Sequence, residues 1–363
     1  VLPRERILTA CRRGQPDRVP YTFSATPPVQ RVFERETGAS DLAEYFEFDY
    51  RSVGAKPTQK RTDFSVYYSD LELGPKVEYD EWGVAHLPPA IAEPTTEHFR
   101  HRISPLRNAT TVDQIEAYPF PDLDADYRFA GLAQEISAIK ARGLAAWGGT
   151  GFSTFDYSWL LRGYQTFLMD MLTDPEMTAA IMDRVVSILR ATIRQYVRAG
   201  VDIVIWGEDV GMQDSMLIGP QVWRKWVKPR FASMIAAAKQ ENPDVVIWYH
   251  SCGYIEPIIP DLIEIGVEVL NPVQPEVMDP ARIKSLYGDR LAFWGTVSVQ
   301  RTMPFGSPDD VRAEVKQRIE TVGRGGGFVV APAHVLEPEV PWENVLAFVQ
   351  AARDYGRYPL PSH

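Results

Sequence analysis

The sequence is short of cysteine, of positive charge and of long apolar runs, and each shortage excludes a class of protein. Two cysteines, Cys11 and Cys252, lie far apart among 363 residues, so no disulfide framework is being built. Lys and Arg number 38 against 48 Asp and Glu, for a formal charge of −10. A phosphate-backbone partner needs clustered cations to displace counterions, so nucleic acid is not expected. No stretch nears the roughly 20 apolar residues that cross a bilayer, so no membrane partner is expected either. The opening Val1-Leu2-Pro3-Arg4-Glu5-Arg6 lacks the apolar core of a secretory signal. The expected location is therefore cytoplasmic. No Gly-x-Gly-x-x-Gly turn follows an early apolar run, which removes the main mark of a doubly wound dinucleotide-binding sheet. Gly323-Arg324-Gly325-Gly326-Gly327 precedes an apolar run instead of opening a helix and reads as structural.

What is present is a large apolar content, 45%, arranged in short continuous runs rich in β-branched and aromatic residues. Eight runs qualify as strands: 18–24, 48–53, 143–147, 202–206, 245–249, 267–270, 291–294 and 328–331. Helical stretches fit at 27–36, 40–46, 157–172, 175–198, 219–240, 254–264, 279–286, 308–322 and 341–354, after a leading amphipathic helix over 3–13. Eight strands, each followed by helix, predict an α/β fold, a (β/α)8 TIM barrel with an amino-terminal helix, with residues 1–363 as one domain. Residues 56–125 break the rhythm and read as an insertion over the barrel between strands 2 and 3. In it, Val66-Tyr67-Tyr68 and Lys76-Val77-Glu78-Tyr79 flank Gly74-Pro75 as a hairpin, and Asp80-Glu81-Trp82-Gly83 reads as a turn over the barrel.

Barrel chemistry collects where strands run out into the following loops. Four runs end in polar residues: Trp206 leads to Gly207-Glu208-Asp209, Tyr249 to His250-Ser251-Cys252-Gly253, Leu270 to Asn271-Pro272-Val273-Gln274, and the last run to Pro332-Ala333-His334. His250 and Cys252, two apart at a strand end, can face one way before Gly253 permits a sharp turn. A thiolate and an imidazole suit zinc, with His334 as third ligand. Glu208 and Asp209 are the candidate catalytic carboxylates, available to complete the metal site or manage a proton. Asn271, Gln274 and Tyr157 are assigned to the substrate. Tyr157, Trp159, Tyr164 and Phe167 as a stripe, and Trp206, Trp248, Tyr249 and Trp294, otherwise read as packing, as does Cys11.

Arg4-Glu5-Arg6-Ile7-Leu8 through Pro16-Asp17-Arg18-Val19-Pro20, Asp80-Glu81-Trp82-Gly83, His250-Ser251-Cys252-Gly253 and Pro341-Trp342-Glu343-Asn344-Val345 together resemble the uroporphyrinogen decarboxylase superfamily. Within it they resemble the cobalamin-dependent methyltransferase and O-demethylase branch. The resemblance implies a zinc-dependent methyltransferase that moves a methyl group from a small methylated compound, such as a methoxylated aromatic, to Co(I) cobalamin. No Asp-x-His-x-x-Gly motif is present, so the cobalamin belongs on a partner corrinoid protein. A homodimer is also implied. Branch members carry His-x-Cys plus a later Cys; His334 at the later position replaces a thiolate by an imidazole, which disfavours coenzyme M and favours Lewis acidity. The decarboxylase's Arg-Gln-Ala-Gly-Arg-Tyr signature is replaced by Thr22-Phe23-Ser24-Ala25-Thr26-Pro27, which disfavours a porphyrinogen. A metal-dependent lyase and a non-catalytic metal-binding barrel are the rival readings.

Overall fold

A computed structural model describes residues 1–87 and 102–360. Seven parallel strands form the main sheet: β1 (Tyr50–Ser52), β5 (Ala145–Phe152), β6 (Ile203–Gly207), β7 (Val246–His250), β8 (Val269–Asn271), β9 (Ala292–Trp294) and β10 (Phe328–Val329), hydrogen-bonded in that order. The eighth stave is the stretch around Tyr21, which bridges Val330 in parallel; Thr22 N–H donates to Val330 O, and Val330 N–H to Pro20 O. It was expected as a full strand over 18–24, but Pro20 has no N–H to donate and only isolated bridges form. On its other side, contact with the β1 region runs through side chains, Thr22 Oγ1 to Tyr50 OH at 3.2 Å and Tyr21 OH to Phe46 O at 2.8 Å. The strands therefore curl into the expected α/β barrel.

Strands β6 to β10 are buried on both faces, and the two faces belong to different cores. Ile203, Val246, Trp248, Val269, Ala292 and Trp294 point into the barrel. Val204, Trp206, Ile247, Tyr249 and Leu270 point out against the helical layer. This alternation fixes which strand-end residues face the mouth. The helix Pro3–Cys11 floors the barrel: Ile7, Leu8, Ala10 and Cys11 join the inner core. Its arginines reach acids at strand starts, Arg4 to Asp202 at 2.8 Å and Arg6 to Asp49 at 2.6 Å. Cys11 is fully buried there, so packing accounts for it.

Several boundaries differ from expectation for identifiable reasons. The helix expected over 157–172 is two, Thr154–Arg162 and Tyr164–Thr173, because Gly163 at φ 94° breaks the turn. The stretch 219–240 divides into Pro220–Trp226 and Lys228–Glu241, and 254–264 opens with a single 3₁₀ turn. Strand β5 runs five residues past 147 through Gly148-Gly149-Thr150-Gly151-Phe152, a composition that hides a strand from propensity reasoning.

The insertion carries β2 (Glu78–Tyr79), β3 (Ala85–His86) and β4 (Arg102–Ile103) as an antiparallel sheet. The hairpin is present but its expected partner is wrong: Ser65–Tyr68 is a 3₁₀ turn, and β2 pairs with β3. Asp80 explains the turn, because its Oδ1 accepts the N–H groups of Trp82 and Val84, both at 2.9 Å. Among the described residues, no helix is long and apolar enough to cross a membrane.

Candidate metal centre

Register brings the site together. Gly207 on β6 aligns with His250 on β7, which aligns with Asn271 on β8, so three strand ends form one layer at the mouth. His250 shares the inward parity of Val246 and Trp248, and its ring lies parallel to Trp248 at 6.1 Å. Cys252 follows on the loop, with Sγ 3.3 Å from His250 Nε2. His334 arrives from beyond β10, its ring centroid 6.0 Å from that of His250. One ligand atom from each of the three lies within 4.8 Å of the other two.

The donors fit a zinc ion in type and spacing. Tetrahedral Zn–N and Zn–S bonds place nitrogen and sulfur about 3.6 Å apart. The orientation of His250 fits as well. Asn271 Nδ2 donates to Trp294 O at 2.6 Å, so its Oδ1 faces His250 Nδ1, also at 2.6 Å. An amide oxygen only accepts, so Nδ1 carries the proton and the Nε2 lone pair points to Cys252. Burial raises the Cys252 thiol above its ordinary range, and a hydrogen bond with His334 opposes this. Asn271→Ala should weaken zinc binding roughly 10- to 100-fold while the fold persists. A competitive chelator titration measures this, and an unchanged affinity would remove Asn271 from the site.

The other expected residues take different places. Asn271 serves His250, and Gln274 is buried with Oε1 accepting the Gly253 N–H at 3.1 Å, so both shape the centre from behind. Asp209 Oδ1 accepts the Cys252 backbone N–H at 3.0 Å and lies 3.5 Å from His250 Nε2. Glu208 is one residue past Gly207 and so has outward parity; it is fully buried behind the sheet. Its Oε1 accepts the Phe155 N–H at 3.4 Å, in the first turn of the helix Thr154–Arg162, while its Oε2 is buried without a hydrogen-bond partner among the described residues. Tyr157 lies on that helix, with its ring stacked 4.2 Å from Trp82 and its hydroxyl donating to Thr150 O. Asp156, which sequence reasoning passed over, is buried near Glu208 and Asp209, and its carboxyl is pushed well up by burial and those charges.

Burial lifts the Glu208 carboxyl to about 7. A raised folded-state value means the native state holds the proton more tightly than the unfolded chain. The stability this confers is complete below about pH 4.5 and is lost as pH rises to 7, a change of about 3 kcal/mol. Glu208→Gln should flatten that slope in urea unfolding of the metal-stripped protein between pH 4.5 and 8. Parallel wild-type and variant slopes would contradict it.

A cleft of about 270 Å³ adjoins Cys252 and His334, bordered by Met212, Gln213, Gln300 and Glu337. A second cavity, about 440 Å³, lies under the insertion at the ends of β1 and β5, and Tyr157 lines it. The smaller cleft gives the centre open space for a small molecule, whereas none of the three donor residues lines the larger cavity.

Residues 102–355 match the family described as uroporphyrinogen decarboxylase (URO-D). A methylcobamide:CoM methyltransferase from Methanosarcina barkeri is 31% identical over 159 residues, 44% of this chain and 43% of that protein. The chain thus matches less than half the length of that methyltransferase. A uroporphyrinogen decarboxylase from Coxiella burnetii is 21% identical over 81% of this chain and 78% of its own. The solved structure of a methyltransferase from Methanosarcina mazei superimposes with a TM-score of 0.64 at 19% identity, covering 98% of this chain and 99% of that one, a likeness of fold. With the family match spanning most of its length, and a barrel fold to go with it, the chain belongs to the uroporphyrinogen decarboxylase family.

Proposed function

We propose that this protein is a zinc-dependent methyltransferase that takes a methyl group from a small methylated compound and delivers it to the Co(I) corrinoid of a partner protein. The observation that carries the reading is the meeting of His250, Cys252 and His334 at the barrel mouth beside an open cleft. Three protein donors with adjoining space is the pattern of a catalytic site rather than a closed structural one. The name of the Methanosarcina barkeri relative, a methylcobamide:CoM methyltransferase, supports methyl chemistry. When bound, zinc supplies Lewis acidity toward the heteroatom that loses the methyl group.

The chain's own residues do the rest. Asn271 holds His250 in the tautomer whose Nε2 is a donor. Asp209, in reach of His250 and of the Cys252 amide, holds the ligand loop and is placed to relay at the mouth the proton that the demethylated heteroatom gains. Trp248, Trp294 and Trp147 pack beneath as a dry floor that excludes water from below. A homodimer completes the proposal on the resemblance alone.

The test is incubation with reduced cobalamin and a panel of methylated compounds, following the methylcobalamin spectrum. Its appearance with one donor supports the reading. Metal-dependent carbon dioxide release without any methyl transfer would favour the lyase reading instead.

A further inference from the structure

The 440 Å³ cavity is walled by two kinds of surface. One wall is aromatic: Phe152 at the end of β5 meets Tyr157 edge-on at 5.9 Å, and Tyr157 stacks on the buried Trp82. Phe152 is 42% exposed, an unusual position for a phenylalanine beside a cavity on the functional face. In register, Phe152 pairs with Gly207, which pairs with His250. Two strand spacings put it roughly 10 Å from the metal ligands.

The other wall is charged and comes from the insertion. His86 and Arg102 are directly opposed on β3 and β4, so both present to the cavity, with Glu78 on the far side of His86 in the same row. Most of these groups are engaged. Glu81 is held by Arg128 through two bonds of 2.7 and 3.1 Å. The two Asp80 oxygens take backbone N–H groups and, at 2.9 Å, His86 Nε2. Arg102 differs: its Nε is buried with no acceptor, and its guanidinium makes no ion pair with a described residue. A buried guanidinium donor without an acceptor is costly, and a carboxylate is the ligand that satisfies its fork.

We propose that this cavity binds a planar aromatic anion, its ring against Phe152 and Tyr157 and its anionic group on Arg102. As a statement about the methylated substrate this rests on the methyl-transfer reading above; the binding itself needs neither metal nor corrinoid. The cavity size falls within the range of small-molecule sites.

Isothermal titration of the metal-stripped protein decides it, with three probes: 4-methoxybenzoate, the neutral isostere 4-methoxybenzamide, and methoxyacetate, an anion without a ring. The wild type should bind the benzoate at least roughly tenfold tighter than either of the others, the value of a charge-assisted pair plus stacking. Arg102→Gln should erase the preference for benzoate over benzamide, and Arg102→Lys should keep part of it. Equal binding of acid and amide by the wild type, no binding of the benzoate, or wild-type affinity in Arg102→Gln would overturn the proposal. Should Arg102→Gln fail to fold by circular dichroism, the acid-against-amide comparison in the wild type still decides. Benzoate binding without methyl transfer from any donor would sink the methyl-transfer reading and leave the cavity assignment standing. Methyl transfer from a neutral donor with no benzoate binding would do the reverse.

Discussion

Cys252→Ala should reduce zinc content from about one ion per chain to near zero and lower methyl transfer by roughly a thousandfold or more, with the barrel still folded. Cys252 supplies the sulfur among three converging donors, and two imidazoles alone hold zinc weakly. The side chain is part-exposed on a loop beyond β7 and contributes nothing to either apolar core. Loss of bound metal itself lowers apparent stability by mass action, so the comparison is with metal-stripped wild type. Against that reference the unfolding midpoint should be unchanged to within about 1 kcal/mol. Elemental analysis, the methylcobalamin assay and urea unfolding read the three quantities. Full zinc occupancy in Cys252→Ala would remove the sulfur from the site.

Gly253→Ala should destabilise the protein by about 3 kcal/mol or more, and weaken zinc binding with it. Gly253 sits at φ 79°, and a Cβ there would lie 2.5 Å from Gly211 C and 2.7 Å from Met212 N. Both obstacles are backbone, so neither can step aside. The contact is reciprocal: a Cβ on Gly211 would be 2.4 Å from Cys252 O. The loops after β6 and β7 are thus pressed main chain to main chain and tied by Tyr254 N–H to Met212 O at 2.7 Å, while Gly253 N–H ties the second loop to Gln274 beyond β8. Any widening carries Cys252 with it. Gly219→Ala is the control, with nothing within 4 Å of its Cβ, and should be neutral to about 0.5 kcal/mol. Denaturant unfolding with chelator titration measures both. A wild-type midpoint for Gly253→Ala would show that the loops can part at no cost.

The barrel was legible because strands buried on both faces leave continuous apolar runs, as at Val246–Tyr249 and Ala292–Trp294. The convergence of His250, Cys252 and His334 was legible for a related reason: each follows an apolar run, and such ends gather on one face. The same continuity concealed parity. With Ile203, Val204, Ile205 and Trp206 all apolar, nothing in the run says that Gly207 faces in and Glu208 faces out. Asn271 and Gln274 were found as residues of the mouth, but amide direction depends on Trp294 O and Gly253 N, which lie on other segments. Arg102 and Phe152 were missed outright. Their signal is tertiary, a β4 strand opposed to His86 and a glycine-rich extension of β5, and neither carries an apolar pattern.

Zinc K-edge absorption spectroscopy of the purified protein reads the donor set around the metal. One sulfur near 2.3 Å and two imidazole nitrogens near 2.0–2.1 Å are expected, with the remaining coordination light. A zinc shell without sulfur, or with two or more sulfurs, would contradict that set, because Cys252 is the only thiol that the fold brings to the mouth.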